Sequence, residues 1–220
     1  MSATIRHPAT ALSLAAVLAL AACGTRSTDG PTTGQIIRQA AGQIAAGTLR
    51  RDAAAPAEAP DPEAMAAEAL RINPAPLILA GLEGMGTTQV LALVGENAGM
   101  RTYMTENNQA LILRSGMLVG TRGLGNDLSV AEPGTEALIR NRRAGNARRI
   151  MRLYTGDGLE TPFGFDCSVT PEGPNMVEDC RAGSLAFQNR YLVTAGGNIP
   201  VSRQWISPSL GYVTIQTIRP

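Results

Sequence analysis

From Leu77 onward, short apolar runs alternate with turn residues, and this pattern constrains the fold more than any other feature of the chain. The clearest runs are too short for a helix of ordinary length; they lie at residues 77–79, 90–94 and 111–113. Further strands are expected at 102–105, 117–121, 150–155, 199–205 and 212–218. Turn signals this frequent predict a mainly β fold, an antiparallel meander that forms a barrel or a sandwich. Residues 136–149 are the exception, and there the pattern predicts a short helix or a basic loop.

The N-terminus has the pattern of a cleaved export signal. Arg6 and His7 precede an Ala/Leu/Val run at residues 9–20, which is too short to span a bilayer. The run ends in Leu-Ala-Ala before Cys23, and this resembles a lipobox, although an ordinary secretory signal that includes a cysteine is the alternative. We therefore expect a signal peptide at 1–22 and acyl chains on Cys23. Gly24, instead of Asp, resembles the outer-membrane sorting pattern, with the following domain facing the periplasm.

The next segment, residues 23–75, is rich in Ala, Gly, Thr and Pro, and is predicted to be a flexible tether. Two stretches in it have helical character, at 36–49 and 61–72, and Pro62 suits the first helical position of the second. The first could lie on a membrane or bind a partner; the alternatives are a weak helix packed on the domain, or disorder. The β-rich domain is then expected at 76–220.

Charge and histidine content exclude several function classes. The chain has no lysine, and removal of residues 1–22 leaves 18 arginines against 18 acidic residues, so no nucleic-acid partner is indicated. The one histidine lies in the signal peptide, which excludes His-dependent nucleophilic catalysis and His-ligated metals, and no cofactor is expected. A hydrolase that uses a carboxylate pair remains an alternative. The acids in the domain include Glu96, Glu106, Asp127, Asp157, Asp166, Glu172, Glu178 and Asp179, and no spacing singles out two of them.

If Cys23 carries lipid, two of the three cysteines remain, Cys167 and Cys180. Between them, residues 170–175 read Thr-Pro-Glu-Gly-Pro-Asn, which is a dense turn signal. Two strands flanking that turn would place the sulfurs opposite each other, so a disulfide across a hairpin is predicted. Free thiols or a metal pair are the alternatives, but a zinc site needs more ligands than two cysteines supply.

Six arginines within thirteen residues create a positive field in an otherwise neutral chain: Arg140, Arg142, Arg143, Arg148, Arg149 and Arg152. Guanidinium groups bind carboxylates bidentately, so one hypothesis is contact with an acidic polymer or with anionic lipid headgroups. The alternatives are a solvated loop paired with scattered acids, or a protein partner with an acidic rim.

Aromatic residues in the strand-like stretches could line a sugar-stacking face, but core packing is favoured for Tyr154, Phe187, Tyr191, Trp205 and Tyr212.

The glycines at residues 120–125 do not form a dinucleotide-binding motif. Their spacing, Gly-x-x-Gly-x-Gly, is the reverse of the dinucleotide fingerprint, and no βαβ unit follows. A turn with positive φ is predicted instead, capped by Asp127.

Two blocks of sequence resemble a known family. The first runs from Asn108 through the turn at Ser115-Gly116 to the Gly-Leu-Gly-Asn-Asp-Leu at 123–128. The second contains Asn189-Arg190-Tyr191, Gly197, Ile199, Gln204 and the last β-run through Ile218. Their order and spacing are similar to those of the YjbF-like lipoproteins, also described as group 4 capsule or exopolysaccharide lipoproteins. The resemblance covers about residues 75–220, whereas the Ala/Pro tether, the cysteine pair and an insertion at 84–88 depart from it.

This resemblance implies a β-rich fold and a role in the production or export of a surface polysaccharide. It carries no catalytic residue to this chain. The expected function is therefore a non-enzymatic accessory lipoprotein that binds an acidic polysaccharide or a polysaccharide-export protein. A polysaccharide-modifying enzyme with a carboxylate pair and a structural envelope lipoprotein without a sugar ligand are the alternatives.

Overall fold

The computed structural model describes residues 61–154 and 158–220, which contain twelve strands and two short helices. Helix α1 spans Pro62–Ile72, helix α2 spans Glu136–Arg140, and a 3-10 turn covers Glu83–Met85. The strands are β1 (Leu77–Leu82), β2 (Thr87–Asn97), β3 (Met100–Met104), β4 (Ala110–Arg114), β5 (Met117–Arg122), β6 (Leu128–Pro133), β7 (Gly145–Tyr154), β8 (Glu160–Glu172), β9 (Asn175–Ala182), β10 (Leu185–Leu192), β11 (Val201–Ser207) and β12 (Gly211–Arg219). The predicted mainly β fold is confirmed. The predicted signal peptide, Cys23 and the predicted helix at 36–49 lie outside the described residues.

All twelve strands form one antiparallel sheet in which β1 pairs with β12 and the others pair with sequence neighbours. The two remaining edges, β5 and β6, are joined by a short turn, so the sheet is nearly closed into a barrel. Side chains bridge this seam. The Arg122 guanidinium donates to the carbonyls of Thr121 (2.6 Å) and Leu128 (3.3 Å), and the Leu128 N–H donates to Thr121 Oγ1 (2.9 Å). The predicted meander is thus confirmed, in its barrel form.

The turn between β5 and β6 is organised by Asp127. Gly123 and Gly125 have φ of +76° and +98°, which confirms the predicted positive-φ turn. The Asp127 carboxylate accepts hydrogen bonds from Thr121 Oγ1 (2.7 Å), the Gly123 N–H (2.9 Å) and the Leu124 N–H (3.2 Å). The predicted cap is confirmed, and it fixes the turn that closes the barrel.

One strand prediction was wrong in part. Residues 136–149 were expected to form a helix or a basic loop, but α2 ends at Arg140 and β7 begins at Gly145. Along β7, Arg148 and Arg152 point outward while Arg149, Met151 and Leu153 are buried. A charged residue at an inward position interrupts the apolar/polar alternation, so the start of this strand could not be recognised from the pattern.

Two clusters of buried residues fill the barrel. The larger contains an aromatic group in which Phe187 stacks on Trp205, with ring centroids 4.7 Å apart, and Phe165 meets Phe187 edge-on at 4.9 Å. This confirms core packing for Phe187 and Trp205, and Tyr191 is buried as well. The smaller cluster lies under α2 and includes Ile139 and Tyr191.

Helix α1 confirms the predicted helix at 61–72. Asp61 is the N-cap, and its carboxylate accepts from the Glu63 N–H at 3.0 Å, with Pro62 in the first turn. At the other end, the Arg219 guanidinium on β12 donates to the carbonyls of Leu70 (2.7 Å) and Asn73. These carbonyls have no partner within the helix, so Arg219 both caps α1 and attaches it to the sheet. In the described residues, no helix is long and apolar enough to cross a bilayer.

Candidate functional site

The six arginines of the predicted basic cluster do not share one surface. Arg140 ends α2, Arg142 and Arg143 are exposed in the loop that follows, and Arg148 and Arg152 are exposed on the outer face of β7. Arg149 is fully buried inside the barrel, so the surface set that can meet a polymer consists of the other five.

The predicted disulfide is present. Cys167 on β8 and Cys180 on β9 are paired directly across the hairpin, with Cα atoms 4.1 Å apart and sulfurs bonded at 2.03 Å. Both residues are buried in the barrel interior. A Glu178 carboxylate oxygen lies within 4.8 Å of the sulfurs, but bonded cysteines offer no thiolate, so this group is not a metal site.

A buried polar network lies inside the barrel. Its centre is the ion pair of Arg149 and Glu178, in which Nη1 lies 3.3 and 3.4 Å from the two carboxylate oxygens. The Glu178 carboxylate also accepts from Thr135 Oγ1 (2.5 Å), Asn189 Nδ2 (2.8 Å) and the Tyr191 hydroxyl (2.9 Å). All five side chains are fully buried, so each polar group depends on its neighbours for hydrogen bonds.

This network shifts the pKa of its members in the directions that keep the ion pair charged. Burial by itself would raise the pKa of Glu178, but the Arg149 charge and the three donated hydrogen bonds lower it below its ordinary 4.5. Burial would lower the pKa of Arg149, yet the charge of Glu178 raises it. Burial raises the pKa of Tyr191 well above its ordinary 10.0, and the neighbouring carboxylate adds to this effect.

The network positions the loops at one end of the barrel. Thr135, which it binds, is the residue before α2, so Glu178 fixes the start of the helix whose last residue is Arg140. Gln204 on β11 accepts a hydrogen bond from the Leu118 N–H on β5 (2.8 Å) and donates one to the Gly116 carbonyl (3.0 Å). The turn between β4 and β5 is therefore held from below by a buried side chain.

A cleft of 520 Å³ opens at this same end of the barrel, and we call it the end cleft. The residues that shape it come from β3, β4, the β4–β5 turn, α2 and the β10–β11 loop; they include Arg101, Tyr103, Leu113, Ser115, Arg140, Asn198 and Ile199. Its volume is within the range of small-molecule sites. A second, polar depression of 650 Å³ adjoins it, shares Arg140 and Gly197, and is also lined by Arg142.

Two glycines allow the walls of the end cleft to approach each other. A Cβ at Gly116 would lie 2.8 Å from the Ile199 Cβ, and one at Gly197 would lie 3.0 Å from the Arg140 carbonyl oxygen. Both also have positive φ, +82° and +75°, which glycine adopts without strain. The β10–β11 loop thereby packs against the β4–β5 turn on one side and α2 on the other.

The guanidinium of Arg140 is held in place at the cleft wall. Its Nε donates to the Gly197 carbonyl (3.1 Å), and its Nη1 donates to Ser115 Oγ (3.3 Å) and lies 3.6 Å from a Glu136 oxygen. In the described residues no hydrogen bond uses its Nη2, and 40% of the side chain is exposed. The Nε and Nη1 atoms of Arg140 are therefore held by protein oxygens, and the exposed part of the guanidinium group faces solvent.

Arg101 lies on the same cleft. Its Nε donates to Glu96 (2.9 Å) and its Nη1 donates to the Tyr103 hydroxyl (3.4 Å), while no hydrogen bond in the described residues uses Nη2. The hydrogen bond to Glu96 raises the pKa of Arg101, so the cation is charged at all physiological pH values. Glu136 also pairs with Arg114 at 3.1 Å, so this one carboxylate is shared by two guanidinium groups beside the end cleft.

Arg140 was predicted from the sequence as a site residue, whereas Arg101, Tyr103, Ser115 and Asn198 were not. A single polar residue beside a turn does not indicate a site in the sequence. These residues come together only because the fold places β3, the β4–β5 turn, α2 and the β10–β11 loop side by side. The aromatic residues predicted in strands contribute little to an exposed sugar-stacking face. The prediction of core packing is wrong for Tyr154, which is 37% exposed. The Tyr212 ring is covered by the Arg203 guanidinium, which lies 3.5 Å from the ring centroid.

The candidate acids do not form an enclosed catalytic pair in the described residues. Asp166 and Asp179 share a shallow depression on the outer face of β7–β9 with Arg148 and Arg181. Asp166 is 87% exposed there and lies 3.6 Å from Arg148. A glycosidase acid needs a raised pKa, but that of the buried Glu178 is lowered. Asp157 lies outside the described residues.

Comparisons with known proteins agree with this fold. The model of the family described as "Group 4 capsule polysaccharide lipoprotein gfcB, YjbF" matches residues 50–218. The crystal structure of the hypothetical lipoprotein YmcC from Escherichia coli K12 is similar, with a TM-score of 0.58 and 17% sequence identity over 67% of this chain and 88% of that chain. At this identity the similarity shows the fold alone. No curated protein sequence matches this chain.

Proposed function

The chain belongs to the YjbF family of group 4 capsule polysaccharide lipoproteins, and we propose that it is a non-enzymatic accessory protein of capsule or exopolysaccharide production or export. It acts from the outer membrane, anchored by acyl chains on Cys23, with the barrel reaching into the periplasm on the segment 23–75. Several acyl chains retain a protein far more firmly than one, since each buried CH₂ contributes about 0.8 kcal/mol.

The observation that carries this proposal is the family match over residues 50–218, which includes the whole barrel except Arg219, the last residue of β12. The geometry supports binding more than chemistry. The end cleft presents fixed guanidinium groups and hydroxyls, and Arg142, Arg143, Arg148 and Arg152 are exposed for contacts with an acidic polymer. An export protein with an acidic rim is the other partner this surface fits.

The test is polysaccharide analysis of a deletion strain complemented with the wild type, Cys23→Ala or Gly24→Asp. The Cys23→Ala variant removes the lipid, whereas Gly24→Asp keeps the lipid and changes the predicted sorting signal. We expect surface polymer to fall in the deletion strain and to return with the wild type only. Restoration by Cys23→Ala would contradict the anchoring proposal, and restoration by Gly24→Asp would contradict outer-membrane placement.

The same strains separate the alternative functions. Unchanged polymer amount and chain structure in the deletion strain would contradict the polysaccharide role and favour a structural envelope lipoprotein. The enzymatic alternative is favoured by one observation, the shared depression of Asp166 and Asp179. A modifying enzyme would alter polymer length or substitution, so double replacement of these acids by asparagine would then reproduce the deletion phenotype. We expect this double variant to restore normal polymer.

A further inference from the structure

We propose that the end cleft binds the carboxylate of a hexuronic acid residue within an acidic polysaccharide, with Arg101 and Arg140 as its ligands. The inference rests on the proposed function, because it names the class of sugar that the polysaccharide-binding barrel recognises. It adds Arg101, Ser115 and Asn198 to the contacts expected from the basic cluster.

The two guanidinium groups supply the charge recognition. Each has one edge fixed by protein oxygens, Arg140 by Gly197, Ser115 and Glu136, and Arg101 by Glu96 and Tyr103. Each retains Nη2 for an incoming acceptor. A carboxylate can accept a charge-assisted hydrogen bond from each Nη2, and bonds of this kind are stronger than those between neutral groups.

The rest of the cleft fits a pyranose ring. Its floor contains the buried side chains of Leu113 and Ile199, and Pro200 lies at the wall, so an apolar sugar face meets apolar atoms. The Ser115 hydroxyl and the Asn198 amide lie on the same cleft and can exchange hydrogen bonds with ring hydroxyls. The combination of two cations, two neutral polar groups and an apolar floor favours an acidic sugar over a bare inorganic anion.

The site is built before any ligand arrives. Gly116 and Gly197 permit the close backbone contacts that set the cleft width, and the buried Glu178 fixes Thr135 at the start of the helix that carries Arg140. Side chains that are already hydrogen-bonded lose less conformational entropy when they bind. A site of this kind can discriminate between sugars, unlike a set of mobile surface arginines.

The test is calorimetric titration of the purified full chain, in detergent, with trigalacturonic acid. Its methyl ester, a neutral trisaccharide and inorganic phosphate serve as comparison ligands. We expect the acid to bind and the ester, the neutral sugar and phosphate to bind at least about tenfold more weakly. Equal binding of the ester would overturn carboxylate recognition, and equal competition by phosphate would overturn sugar recognition. The absence of any binding by trigalacturonic acid would overturn the site itself.

Variants locate the site. Arg101→Gln and Arg140→Gln should each weaken binding about tenfold or more. The matched control is Arg190→Gln, since Arg190 is similarly exposed (43%) and paired with Glu172 at 2.9 Å, but lies outside the end cleft. We expect its affinity to stay within about twofold of wild type. A loss as large in the control would overturn the assignment to the cleft, provided that thermal unfolding shows all three variants folded.

Failure of this proposal differs from failure of the proposed function. A polymer defect in the deletion strain without uronate binding would overturn the site and leave the accessory role. Uronate binding without a polymer defect would leave the site and remove the role in polysaccharide production.

Discussion

Replacement of Glu178 by glutamine keeps the shape of the side chain and removes its charge from the centre of the barrel. The Arg149 guanidinium, fully buried, would then have no counter-ion. Its Nε already has no hydrogen-bond partner among residues 61–154 and 158–220. The amide nitrogen would also replace a carboxylate oxygen that accepts from Arg149, and from Asn189 and Tyr191 if it takes the Oε2 position. N–H and O–H groups that now donate to Glu178 would then face the amide N–H of glutamine, and these buried polar groups would lose their hydrogen bonds.

We expect Glu178→Gln to lower the free energy of unfolding by about 3–5 kcal/mol, the cost of removing one partner from a buried ion pair. For a domain of this size, that corresponds to a decrease in Tm of about 6–20 °C. The double variant that also carries Arg149→Met removes the unpaired charge, so it should be more stable than Glu178→Gln alone.

Urea unfolding followed by tryptophan fluorescence measures this effect directly. Trp205 is the only tryptophan of the chain, is 7% exposed and stacks on Phe187, so its emission reports on the interior. The m-value should not change if the variants remain two-state. A loss below about 1 kcal/mol for Glu178→Gln, or a double variant less stable than the single one, would refute the reasoning.

The same ion pair predicts an acid dependence. Since the pKa of Glu178 is lower in the folded state than its ordinary 4.5, its contribution to stability is fully present above that value. It is lost as the pH falls from 4.5 through the folded pKa. Unfolding curves between neutral pH and pH 3 should therefore show a loss of stability that is smaller in Glu178→Gln, and parallel curves for the two proteins would contradict the assignment.

Three further predictions concern the disulfide, the closing turn and the cleft. Replacement of Cys167 and Cys180 by serine should cost about 3 kcal/mol, as measured by urea unfolding, because the bond closes a loop between cysteines 13 positions apart; an unchanged midpoint would show that the bond adds nothing. Asp127→Ala removes a carboxylate that accepts three hydrogen bonds and should cost about 2–3 kcal/mol, with Asp127→Asn less affected; equal losses in a thermal melt would contradict this account of the turn. Gly116→Ala should destabilise more than Gly99→Ala by about 1–3 kcal/mol, since both have positive φ but only Gly116 would bring a Cβ within 2.8 Å of another side chain; similar melting temperatures would refute the close contact.

Much of the fold follows from local sequence signals, and the rest depends on long-range contacts. The disulfide could be predicted because a turn signal lies between Cys167 and Cys180, and the Asp127 cap because aspartate commonly bonds nearby backbone groups. The start of β7 could not be predicted, because an arginine is expected at the surface. The burial of Arg149 is explained only by its ion pair with Glu178. The two residues are 29 positions apart in the sequence, so their ion pair could not be predicted from local pattern.

The end cleft was hidden for the same reason. Arg101 and Arg140 belong to different elements, and nothing in either local sequence indicates that they share a site. Residues carrying the family resemblance do meet there, since Gly116 contacts Ile199 and Gly197 contacts Arg140. The family resemblance therefore included the residues that shape the end cleft, Gly116, Gly197 and Ile199. The arginine-rich segment predicted Arg140 but not Arg101.

The contents of the barrel determine how it can handle a polymer. Inward side chains as large as Arg149, Tyr191 and Phe165 are completely buried, and they belong to two apolar clusters and a polar network. A polysaccharide chain therefore cannot thread through the interior of the described domain without unfolding it. In the proposed function, a polymer would contact the end cleft and the outer face of β7, where guanidinium groups are exposed. Because these groups lie on the outside of the barrel, the proposed role is to hold or orient a polymer, and a partner would have to supply any passage across a membrane.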